Sequence, residues 1–343
     1  MVPDVTVELS DLRGWASQVR RASGDAGSAH EYAATNIADA DFGAVLELLT
    51  GDYAALLGKL HDILQADSTG LDHEHAALNA SAEEYKSADD RSSNHFSHLA
   101  GGVTLHTADD GVGNGFDDVS SPARTLDPPS SNGAALPEVS FGWILDHVCD
   151  LIVWVGGPDP REYVTRWIAG NIEEAARQVS AWQHLADCVD AVDANLKSGN
   201  GAITHTWIGS ASAAAIAQMD KWVTCLTDQS STMRQLAGYL GDAIDQAVKM
   251  AQCVVDIIKE VIAIVSAGLS NAAIPFYGQW KLIKSIKEAI TMVNSARKVI
   301  MVFWDFLNLV TSFIQLCIST FSADALPSAP SAAGAASAAG RAR

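Results

Sequence analysis

The chain has 343 residues, 48% of them hydrophobic and 18% charged, which is long and apolar enough to bury a sizeable core and excludes wholesale disorder. Its formal net charge is −19, and residues 1–138 carry 23 Asp/Glu against 7 Lys/Arg, an acidic balance that excludes nucleic acid as the partner of that half. The five cysteines are odd in number and widely spaced, so they read as small core residues rather than a disulfide framework or a thiolate zinc site.

The N-terminus, MVPDVTVELSDLRGW, is acidic and lacks the basic start and continuous apolar run of a Sec signal. A secreted or envelope-associated location therefore implies another export route. No proline occurs between Pro3 and Pro122. Within that span Leu9, Leu12, Trp15, Val19, Ala22, Ala26, Ala29, Ala33 and Ile37 recur in steps of three and four, which predicts an amphipathic helix. Asp39 to Gly43 breaks the pattern, and a second run from Leu49 to Leu99 follows, with an interruption expected at Ser68-Thr69-Gly70. Residues 1–100 thus read as a helical hairpin.

Near the expected end of that second helix, Tyr85 and Asp89 lie four apart and share one face. A negative charge at a helix C-terminus opposes the dipole, which points to a purpose other than stability. The nearby histidines do not make a metal site: His73 and His75 point to different faces, and His95 and His98, though correctly spaced, read as solvated helix.

Residues 101–140 change character to Gly, Pro, Ser and acid, and read as a flexible linker. Its Gly-x-Gly-x-Gly at 111–115 lacks the flanking strand and helix of a phosphate loop and is surrounded by acids. Residues 141–273 repeat the first architecture. One apolar stripe runs from Val164 to Leu196 and is expected to end at Ser198-Gly199-Asn200-Gly201; a second runs from Ile216 to Ile262. Between them Trp207-Ile208-Gly209 predicts a tight turn with a seated aromatic ring.

Residues 274–323 divide into a locally basic stretch and an apolar one. Trp280, Lys281, Lys284 and Lys287 form a candidate contact surface for a partner or an anionic membrane. Val299 to Phe321 is long enough to span a bilayer, which makes a membrane-active effector, pore-forming or lipid-binding through residues 276–321, the alternative reading of function, but Asp305 and several polar residues favour a buried helix. Residues 324–343 are an Ala/Ser/Pro tail expected to be disordered. No nucleophile elbow, P-loop or His-Glu-x-x-His occurs, so the chain is read as non-enzymatic, without cofactor or metal.

Two hairpins, one carrying Tyr85-x-x-x-Asp89 and the other turning at Trp207-Ile208-Gly209, together resemble substrates of the actinobacterial type VII (ESX) secretion system. Residues 5–12, VTVELSDL, and 79–90, NASAEEYKSADD, are similar to the EspC-type secreted proteins, and the second hairpin resembles the WXG100 and PPE families. The order of parts is similar to the single-chain PE–PPE-like domain of EspB-type substrates. The first hairpin's own turn has no Trp-x-Gly, a departure from the WXG100 pattern. The resemblance implies an all-α fold of elongated antiparallel hairpins packed as a four-helix bundle, followed by apolar helices. It implies export as a folded bundle through a composite signal of Tyr85, Asp89, Trp207 and Gly209, read by a secretion ATPase or core complex. An export chaperone or WXG100-like partner, membrane lipid and further copies of the chain complete the partners it suggests.

Overall fold

The computed structural model describes residues 6–37, 46–99, 115–131, 172–270 and 277–328, together with Gly133, Ala135, Asp150 and Val153. The expected turn at Asp39 to Gly43, most of the Gly-x-Gly-x-Gly stretch, the apolar positions Val164 to Ile168, the side chain of His98 and the tail after residue 328 lie outside the described residues.

The protein is all-α. Helices α1 (Leu9–Asn36), α2 (Glu47–Leu99), α3 (Ile172–Ile203), α4 (Ser210–Ser270) and α5 (Tyr277–Thr320) carry the structure, with 3₁₀ turns at Pro122–Thr125 and Ala323–Ala325. The sheet among the described residues is a single two-stranded ladder of β1 (Thr6–Val7) and β2 (Trp207–Ile208). At 1.5 Å per residue the 53 residues of α2 and the 61 of α4 extend about 80 and 90 Å. Helices this long need a continuous apolar stripe, and their stability comes from packing it.

Helices α1 and α2 pair as one hairpin and α3 and α4 as a second; α1 also packs on α3, and α5 packs on α4 and α2. The pairings are antiparallel. Ser23 meets Ser68 while Arg13 meets Glu83, and Arg234 meets Asp187 while Asn200 meets Asp220. Buried side chains from all five helices form one continuous core, with Trp15, Tyr53, Trp182 and Trp222 its largest members. A smaller cluster of Val261, Val265, Ala289 and Val293 continues along α4 and α5.

Three expectations about helix ends are corrected. Helix α2 passes through Ser68-Thr69-Gly70 without a break, because Gly70 serves packing there: a Cβ on it would lie 2.4 Å from the Trp222 ring. Helix α3 passes through Ser198–Gly201 to Ile203 for the same kind of reason. A Cβ on Gly199 would lie 1.8 Å from Gln18 Oε1 and 2.9 Å from Trp15 Cδ1, so the glycine lets α1 and α3 approach. Helix α2 also continues ten residues beyond Asp89, which places Asp89 inside the helix and removes the dipole argument drawn from its position.

The basic and the apolar stretch join in one helix, α5, from Tyr277 to Thr320. Ile300, Phe303, Leu307, Val310, Ile314, Cys317 and Phe321 are all buried, a regular three-four spacing that docks one face on the core. The helix has the length and composition to cross a membrane, and only 28% of its most apolar stretch is buried: one face docks while Met301, Val302, Leu309 and Leu316 stay exposed, so the buried helix expected from the sequence is corrected to one docked along a single face. The region read as a flexible linker also differs. Its residues 115–131 lie in the groove between α1 and α3, with Phe116 and Pro122 buried.

Candidate functional site at the helical tip

The end of the molecule where α1 and α4 begin and α3 ends gathers the residues singled out from the sequence. After α3 the chain turns through His205 and Thr206, and Val7 pairs with Trp207 and Thr6 with Ile208 in antiparallel register. The Glu8 N–H donates to the Thr206 carbonyl at 3.0 Å, extending the ladder into the start of α1. Two β-branched residues before α1 suit this short pairing, which staples the N-terminus to the turn.

Strand alternation sends Trp207 inward, 2% exposed, and Ile208 outward, 50% exposed. Gly209 then takes φ 137°, a backbone conformation that a side chain disfavours. It reverses the chain directly into α4. The Ala213 N–H donates to the Gly209 carbonyl at 3.0 Å, and the Ser212 hydroxyl donates to the Trp207 carbonyl at 2.6 Å, fixing the turn from the helix side. The tight turn with a seated ring expected from Trp207-Ile208-Gly209 is therefore present, and its glycine is required by geometry.

The seat of the ring comes from the other hairpin. Trp207 meets Tyr85 edge to face, with centroids 6.2 Å apart and planes at 86°, and its Nε1–H points to the Tyr85 hydroxyl at 3.4 Å. On its other side it meets Trp15, again at 6.2 Å and near edge-on. Such contacts favour a fixed ring geometry beyond the area they bury. Trp15, part of the α1 stripe in the sequence, is thus the third ring of the cluster; the VTVELSDL stretch before it was the signal for the strand that completes the site.

Tyr85 is half-buried, whereas residues 87–92 are exposed. Asp89 therefore lies one turn past the aromatic cluster, on the solvent side. Arg13 holds Glu83 at 3.0 Å on the same stretch. The tip thus presents a seated aromatic cluster, an exposed Ile208 and an exposed carboxylate at one end of the molecule.

Residues at the remote basic site are arranged differently. Trp280 is 61% exposed with Lys284 5.9 Å from its ring centroid, and Lys284 also reaches Glu288 at 3.9 Å. Lys287 is exposed and Lys281 half-buried, on the opening turns of α5. None of these approaches the Tyr85–Trp207 cluster among the described contacts. Of the histidines weighed as metal ligands, His75 meets the Ala16 carbonyl at 2.8 Å, and the neighbouring Glu74 accepts from Trp222 Nε1 at 3.0 Å. No cluster with metal-binding geometry occurs among the described residues.

No protein-family model, curated protein or solved structure matches the chain.

Proposed function

We propose that the protein is a non-enzymatic substrate of a type VII (ESX) secretion machine, exported folded and recognised at the helical tip. The observation that carries this reading is the contact of Tyr85 with Trp207 across 122 residues of sequence. The two motifs of the resemblance meet at one point, and they meet only when the two hairpins are assembled. A receiver that reads both therefore reads the folded state. Trp207 and Gly209 set the turn, Tyr85 seats it, and Asp89 offers a charge to an Arg or Lys of the receiving ATPase. Carrying both halves in one chain spares the association entropy that separate partners lose.

Export assays on Tyr85→Ala, Asp89→Ala and Trp207→Ala test the reading. Each variant is expected to accumulate inside the cell while Asp89→Ala keeps wild-type helicity and stability. Normal secretion of all three would sink the proposal.

A second reading is favoured by Trp280 and Ile283, 61% and 55% exposed among Lys281, Lys284 and Lys287. Exposed aromatic and basic residues on one helical segment suit adsorption to an anionic lipid surface. Co-sedimentation with anionic but not zwitterionic vesicles is expected, weakened by Trp280→Ala; equal retention by both vesicle types removes it.

A further inference from the structure

We propose that the groove between α1 and α3 is a binding site for an extended peptide, and that residues 116–131 are its resident, exchangeable ligand. The inference goes beyond the export reading and does not depend on it.

The groove is lined by buried polar side chains whose partners are main-chain atoms of this segment. Asn195, 1% exposed, uses both ends of its amide on one residue: Oδ1 accepts from the Ser120 N–H at 2.9 Å and Nδ2 donates to the Ser120 carbonyl at 3.1 Å. That is the pairing a neighbouring β-strand would supply. Gln18, fully buried, donates to the Asp117 carbonyl at 3.3 Å, and Arg21 donates to the Phe116 carbonyl. Eleven residues along, the Tyr32 hydroxyl donates to the Asp127 carbonyl at 2.9 Å, and His184 Nδ1 meets the same oxygen at 2.9 Å. Buried amides on a helix surface are costly without partners. Here the partners are a stretch of backbone.

Main-chain contacts hold any extended chain; selectivity comes from three side chains. Phe116 is 4% exposed, Asp118 accepts a fork from Arg21 at 2.7 and 3.1 Å, and Pro122 is buried at the start of its 3₁₀ turn. The ligand is thus a peptide with an aromatic residue, a carboxylate two residues later and a proline four residues beyond that. Because Gln18, Arg21 and Tyr32 lie on the first hairpin and Asn195 and His184 on the second, the seated segment also clasps the two hairpins together.

Exchange is the test. In the full chain, residues 116–131 are replaced by a Gly/Ser segment of equal length, and a fluorescent synthetic peptide of the native 116–131 sequence is titrated in. Saturable binding is expected, at least tenfold weaker to the intact protein, whose groove is filled, and at least tenfold weaker for a peptide with Asp118→Ala. A folded replacement chain that binds no peptide, or equal binding by the intact protein, overturns the proposal. Should the replacement chain fail to fold, limited trypsin digestion of full-length Asn195→Leu decides. Arg124 is the single basic residue of the segment; cleavage there at least tenfold faster than wild type, at unchanged helicity, is expected, and an unchanged rate overturns it.

Discussion

The two seams that join the hairpins differ in what their buried polar groups bond to. Where α1 meets α3, Gly199 brings the backbones close against Trp15 and Gln18, and a peptide segment fills the groove. Where α2 meets α4, carboxylates are buried: Asp67, 1% exposed, accepts from Gln229 Nε2 at 3.1 Å, and Glu74, 5% exposed, accepts from Gln218 at 2.8 Å and Trp222 at 3.0 Å. Both seams use a glycine for close approach, Gly199 in the first and Gly70 under Trp222 in the second; the first directs its buried amides to the main chain of the seated segment, whereas the second buries acids whose hydrogen bonds run directly from helix to helix. Two kinds of constraint reject different errors of register, because a slip along the first seam meets steric overlap and a slip along the second strands a buried acid.

The strongest way to break the second seam is Trp222→Ala. Trp222 is 1% exposed, lies over Gly70 and donates to Glu74. Its removal leaves a cavity and a buried carboxylate short of one donor, so a loss of about 3–5 kcal/mol is expected. Urea denaturation measures it. A cost below about 1 kcal/mol would mean that the seam collapses freely and is not specified by this residue.

Asp67 makes the second seam sensitive to pH. Burial pushes its carboxyl up from 3.8 to about 7, with the Gln229 hydrogen bond opposing. Asp67 Oδ2 is buried without a hydrogen-bond partner, so nothing at that oxygen offsets the cost of burying the charge. The native chain therefore keeps a proton that the unfolded chain releases. Its contribution is fully present below about pH 4 and falls as pH rises through about 7. Asp67→Asn is neutral at all pH values. It is expected to abolish that decline and to stabilise the protein at pH 8 by roughly 2–4 kcal/mol relative to wild type. Asp25, raised to about 6 by burial and by Asp118, shifts in the same direction in both chains, so the difference between variant and wild type isolates Asp67. Parallel stability curves from pH 4 to 8 would refute the assignment.

The first seam answers to volume instead. Gly199→Ala places a Cβ against Gln18 and Trp15, and the strain expected from overpacking is about 1–3 kcal/mol, with no dependence on pH. Thermal melts at pH 5 and pH 8 check both parts. A cost that varies with pH would erase the contrast between the seams.

These features differ in how far the sequence discloses them. The stripes of α1 and α4 were readable because burial on one face repeats every three or four residues. Tyr85 and Trp207 could be picked out as motifs, though Trp15 looked like one more stripe position until the fold placed its ring beside Trp207. Gly70 and Gly199 look like breaks in the sequence, since a glycine shows only that a side chain is missing and not what occupies its place. Residues 115–131 have the Gly, Pro and Ser content of a free linker; what seats them is main-chain bonding to Gln18 and Asn195, which no composition reveals. Asp67 and Glu74 pass as ordinary helix-surface acids until their partners on α4 are known.

At the tip the two seams close on one another, and Tyr85→Phe yields the smallest expected effect. The bond from Trp207 Nε1 to the Tyr85 hydroxyl is long, 3.4 Å, so its loss is expected to cost less than about 0.5 kcal/mol while the edge-to-face contact of the rings persists. Under the export reading proposed above, such a hydroxyl would serve the receiver rather than the fold. Export of Tyr85→Phe is therefore expected to fall severalfold at unchanged stability, measured as the secreted fraction beside a urea melt. Wild-type export would assign the recognition to the ring alone. Loss of stability in step with export would instead make the tip a structural junction, one that ends both seams in the same aromatic cluster.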